Sequence, residues 1–145
     1  MRKSERAVLA SLVLCSVMVL ALAGCASGSP ATAGIADGTY QIEVDTDSSM
    51  FRSESCLLTV EGGTYRATLT LPGEGFSRLY FGTAEEAAAA DDADVFDYYL
   101  NDEGKYTFDI PVSALDEELP IAAFGQRRDT WYDHTIVFHA PADAV

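Results

Sequence analysis

Tyr132, His134 and His139 are the side chains of this chain with the most chemical capacity, and they lie close together near its C-terminal end. A phenol and an imidazole two positions apart share one face of a strand, with Ile136 and Phe138 following on the same side. If that face lines an open pocket, Tyr132 and His134 are ligand groups. If it points into a closed sandwich, they satisfy local hydrogen bonds among apolar neighbours. Catalysis has little support, because these are the chain's two histidines and no Gly-x-Ser-x-Gly, Cys–His pairing or glycine-rich phosphate cradle accompanies them. The expectation is a protein that is not an enzyme.

Other reactive types read more plainly. Asp91, Asp92, Asp94 and Asp97 offer hard oxygen ligands for calcium, but the glycine and the spaced glutamate of a calcium loop are missing, so the run reads as a solvated connection. Asp45 and Asp47 make a weaker case of the same kind. Cys56 alternates with Leu58 and Val60 and reads as a small buried hydrophobe. Arg127 and Arg128 stand in the turn before the last strand, where they can contact carboxylates or simply be solvated.

The elements that would hold these residues are strands. Apolar and polar residues alternate through Tyr40–Val44, Ser55–Glu61, Tyr65–Leu71 and Tyr106–Ile110, and further strands are expected over Phe76–Gly82, Asp94–Leu100, Leu119–Phe124 and Trp131–His139. Gly62-Gly63 marks a two-residue hairpin, and Asn101-Asp102-Glu103-Gly104 a longer one. One helix is expected over Thr83–Ala90, capped by Thr83 and serving as a crossover or lid, with a further single turn after Pro111. About eight short strands at this spacing predict an all-β, immunoglobulin-like antiparallel sandwich with one short helix, over residues 37–140.

What precedes that domain reads as an export segment. Arg2, Lys3 and Arg6 make a basic start, Ala7–Ala21 is apolar and too short to span a bilayer, and small residues follow. Leu22-Ala23-Gly24-Cys25 resembles the bacterial lipobox. That resemblance implies a signal peptide over residues 1–24, cleavage before Cys25, a diacylglycerol on the Cys25 thiol, and an amine open to acylation with palmitate. Two or more chains anchor stably where one binds reversibly. Residues 25–36 then form the lipidated cysteine and a small-residue tether. Beyond the leader, six basic residues face 22 acidic ones, a net charge of −16. Such a surface repels nucleic acid.

The order Asp37-Gly38-Thr39-Tyr40, Ser49-Met50-Phe51, Gly62-Gly63, Phe108-Asp109-Ile110-Pro111-Val112-Ser113-Ala114-Leu115 and Tyr132-Asp133-His134 resembles the near-iron-transporter (NEAT) domain, and also uncharacterised surface lipoproteins of Gram-positive bacteria. The resemblance implies a sandwich that holds haem between a short helical lip after the first strand and the hairpin of the last two. By it, Ser49 donates to a propionate, Met50 and Phe51 complete the lip, and Tyr132 is the phenolate metal ligand, with His134 beside it. The family's second tyrosine, four positions on, is replaced here by Ile136. A phenol without that partner is held less firmly in its ionised form.

Two functions follow as expectations. The first is a membrane-anchored lipoprotein on the extracytoplasmic face that captures haem or a related small molecule. The second is a non-catalytic adhesion or interaction module that meets another surface protein through Tyr80, Tyr98, Tyr99 and Trp131.

Overall fold

The computed structural model describes residues 34–142, so the expected leader and lipobox, with Cys25, lie outside the described residues. Ten strands form two antiparallel sheets. The first contains β1 (Gly38–Gln41), β3 (Ser55–Glu61), β4 (Thr64–Thr70), β8 (Tyr106–Val112) and β7 (Tyr99–Leu100), in that order across the sheet. The second runs β2 (Val44–Thr46), β10 (Thr130–Phe138), β9 (Glu118–Gly125), β5 (Phe76–Tyr80) and β6 (Phe96–Asp97). The predicted antiparallel sandwich is therefore the fold.

Period-2 alternation builds one core between the sheets. Cys56, Leu58, Val60, Ala67, Leu69, Phe108 and Ile110 face inward from the first sheet, and Leu79, Ile121, Ala123, Ile136 and Phe138 from the second, all essentially without solvent contact. The described residues thus carry a complete hydrophobic core of their own. Cys56 is sealed within it, and burial pushes its thiol up to about 12, as expected for an inert packing residue.

The strand count differs from the expected eight for a physical reason. The predicted first strand is one extended segment that changes sheets: Ile42 N–H still donates to Cys56 of the first sheet (3.0 Å), while Glu43 C=O already accepts from His139 beside the second (3.0 Å). The predicted strand over Asp94–Leu100 divides likewise. It begins as a 3-10 turn at Asp92–Asp94, pairs as β6 with β5, and crosses at Tyr98 to pair as β7 with β8. Alternation continues through such a crossing, so sequence periodicity does not reveal it.

Local chemistry closes the connections. Gly62 and Gly63 both take positive φ (57° and 82°), as a two-residue primed turn requires. The helix α1 (Ala84–Ala89) starts from a capping box in which Thr83 Oγ1 accepts from Glu86 N–H and Glu86 Oε2 accepts from Thr83 N–H, and Asp133 Oδ1 accepts from Ala84 N–H (2.6 Å). It packs on the outer side of β9 and β10 through Ala87, over the buried Ala122. The helix is a crossover with no part in covering the cavity described below, which corrects the lid reading. Residues 113–117 bend without a helical turn, and Asp116 takes a positive φ of 59° there.

Candidate functional site

The inward face of β10 changes character along its length. Ile136, opposite Leu119 of β9, and Phe138, opposite Val44 of β2, are core. Tyr132 and His134, opposite Ala123 and Ile121, sit where the two sheets part, and there the sandwich holds a cavity of about 450 Å³. Both alternatives for this face hold at once: it points between the sheets, and its first half is open. Phe76, Tyr132 and His134 form the floor, Ser48 and Met50 one wall, and Gly125, Arg127 and Arg128 the other. The size falls within the range of small-molecule pockets, and the lining is mostly apolar with a few polar groups.

Gly125 explains the pose of Tyr132. A Cβ at Gly125 would come within 2.8 Å of Tyr132 Cε2, so the ring lies over the glycine, across the hairpin, and meets the Phe76 ring edge-on at 6.4 Å. An aromatic ring covering a cross-strand glycine is a stable arrangement in antiparallel sheets. The Tyr132 hydroxyl bonds to no other described group, and the ring remains half-buried at the cavity.

His134 is held more tightly. Its side chain is 10 % exposed and stacks on Phe51 (5.0 Å between centroids), with Phe76 edge-on at 5.8 Å. Nδ1 lies 3.0 Å from Asp47 Oδ1, whereas Nε2 is buried with no hydrogen-bond partner among the described residues. An ionised carboxylate only accepts, so Nδ1 is the protonated nitrogen of this contact, and in the neutral form of the ring Nε2 presents a lone pair.

The lip after the first extended segment is a bend, not the helical turn that the resemblance implies. Thr46 Oγ1 donates to the carbonyl oxygens of Ser48 and Phe51, Ser48 Oγ accepts from Met50 N–H (3.1 Å), and Asp47 N–H donates to Thr135 C=O (3.3 Å). These bonds curl residues 47–51 over the end of β10. Met50 projects into solvent at 83 % exposure and borders the cavity, while Phe51, 1 % exposed, is a core residue beneath His134 and not a lining one. Ser49 faces the neighbouring hollows beside Arg52, and it is Ser48 that reaches this cavity.

Charge adds a second feature. The guanidinium groups of Arg127 and Arg128 have no ion-pair or hydrogen-bond partner among the described residues, although the chain is strongly acidic. Cationic groups left unpaired on the rim of an apolar cavity favour a ligand with an anionic edge. The Asp91, Asp92, Asp94, Asp97 run gathers no metal-ligating group of three or more, a statement that holds for all the described residues.

The aromatics named for a protein partner do not form one surface. Trp131 packs on Phe124 in the second sheet, Tyr98 stacks on Tyr106 and Tyr99 donates to Asp109 (3.4 Å) in the first, and Tyr80 lies on β5. Sequence reasoning missed Phe76, Gly125, Ser48 and Asp47 as parts of the site. Only Gly125, a glycine within an apolar strand next to a paired aromatic, carried a local signal.

No family model matches this chain, and no curated protein matches it in sequence.

Proposed function

We propose that this protein is an extracytoplasmic lipoprotein, anchored through Cys25, whose sandwich captures a flat, largely apolar small molecule with carboxylates at one edge. Haem or a related porphyrin is the ligand class that best suits the cavity. The observation that carries the reading is the hollow at the open end of β10, walled by aromatic rings and rimmed by two unpartnered arginines. The donor set fits such a group. A metalloporphyrin would need a donor from the protein, and the residues lining the cavity include the Tyr132 phenol and the His134 imidazole. Arg127 and Arg128 would meet the carboxylates, and Met50 would close over the apolar body. The bound group would supply the iron, and the chain's part is to bind, orient and shield it.

Hemin titration of residues 26–145, which include the whole described core, tests this directly. A saturable shift of the Soret band at micromolar hemin is expected, weakened when Arg127 and Arg128 are both replaced by glutamine. A flat titration would remove the reading.

A further inference from the structure

We infer that His134, oriented by Asp47, is the side chain that would donate to the metal of a bound group at this site, and that Tyr132 serves as wall. The inference rests on the proposed porphyrin capture and deepens it. Four observations converge on it. Nδ1 is committed to Asp47 Oδ1 at 3.0 Å, which leaves the lone pair of the neutral ring on Nε2. Nε2 is buried with no partner, while the ring itself borders the cavity. Phe51 beneath and Phe76 edge-on fix the plane of the ring, so it cannot turn to find water or a carbonyl. Tyr132, by contrast, already has a structural task, lying over Gly125 against Phe76.

A histidine whose far nitrogen is held by a carboxylate is the usual form of a metal-binding imidazole, since the carboxylate fixes the tautomer and raises the basicity of the free nitrogen. Asp47 is then a positioning residue. It belongs to the lip, so the loop that borders the cavity also sets the donor atom within it. Nε2 is sealed from water, so a ligand reaches it by pushing aside a neighbour on the cavity wall.

The test compares hemin with metal-free protoporphyrin on residues 26–145 and on three variants. Asp47→Asn is expected to weaken hemin by about 10–100-fold, the cost of removing such a partner from a metal-binding histidine, while metal-free protoporphyrin binds as before. His134→Phe keeps a ring on Phe51 without its nitrogens, and should abolish the Soret shift while the metal-free ring still binds. Tyr132→Phe should weaken both porphyrins alike, and the wild-type adduct should stay coordinated on reduction to ferrous iron, which a neutral imidazole holds and a phenolate releases. Should His134→Phe fail to fold by circular dichroism, Asp47→Asn decides. The inference is overturned if Asp47→Asn and His134→Phe reduce both porphyrins equally, or if Tyr132→Phe alone removes the iron-dependent shift; in either case capture itself stands. A wild-type domain that takes up neither porphyrin overturns capture and the donor assignment together.

Discussion

Gly125 and Tyr132 act as a pair. A Cβ at Gly125 would meet Tyr132 Cε2 at 2.8 Å, yet the obstructing atom belongs to a ring that can swing toward the cavity. Gly125→Ala should therefore cost less than the roughly 1–3 kcal/mol of overpacking in a closed core, and should narrow the site instead. The expected result is a changed near-ultraviolet tyrosine signal and weaker hemin uptake with a small fall in melting temperature. Unchanged uptake would mean that the ring keeps its place. At this scale the sequence was informative about type and uninformative about aim. Tyr132 and His134 could be named from their chemistry and shared strand face, but the Asp47 contact joins residues 87 positions apart, and no local pattern reveals it. Ser49 and Phe51 show the same limit, because a one-residue difference in a bend decides which side chain lines a hollow and which is packed away.

Strand β2 has only three residues, on the edge of its sheet, and it is held by more than its ladder. Asp45 Oδ2 meets His139 Nε2 at 2.8 Å, and Asp47 meets His134, so an imidazole–carboxylate contact lies at each end of the pairing with β10. His139 also lies 3.4 Å from Asp116. The hydrogen bond to Asp45, with the nearby Asp116 charge adding to it, raises the His139 pKa above its usual value. A group whose folded pKa is raised stabilises the fold fully below its unfolded pKa of about 6.5, and that contribution fades as pH rises through the folded value. His139→Gln should lower the melting temperature more at about pH 5.5 than at about pH 8.5. A deficit that grows with pH would contradict this. Elements of this kind explain where sequence legibility ended. Ser55–Glu61 and the Gly62-Gly63 turn match their expected bounds because alternation and glycine chemistry are local. The two sheet changes, at Ile42–Glu43 and Tyr98, depend on which neighbour is near and so leave no trace in the pattern.

For the molecule as a whole, the proposed anchor depends on the thiol of Cys25 alone. Cys25→Ala, expressed behind a leader that is cleaved without lipidation, should move the chain from the membrane fraction to the soluble fraction when envelopes are separated by centrifugation, because a peptide of mixed small residues has no comparable membrane affinity. Retention of the variant on the membrane would point to another attachment. The described sandwich should fold equally well in both forms, since its core among the described residues is drawn from residues 35–138. The all-β architecture was legible at this scale, because strand period and turn glycines are properties of composition and order.

The extended segment from Gly38 to Thr46 also fixes a direction. Asp37 sits at its start, where Oδ1 accepts from Gly62 N–H (3.0 Å), and the bend at residues 47–51 sits at its finish, a distance of about 30 Å along the strand. Were the chain anchored at Cys25 as proposed, the tether would join the sandwich at the pole away from the cavity, and the mouth would lie at the far end. Cargo would then arrive from the medium or from a neighbouring surface protein, and handing it inward would require the domain to tip over on its leash.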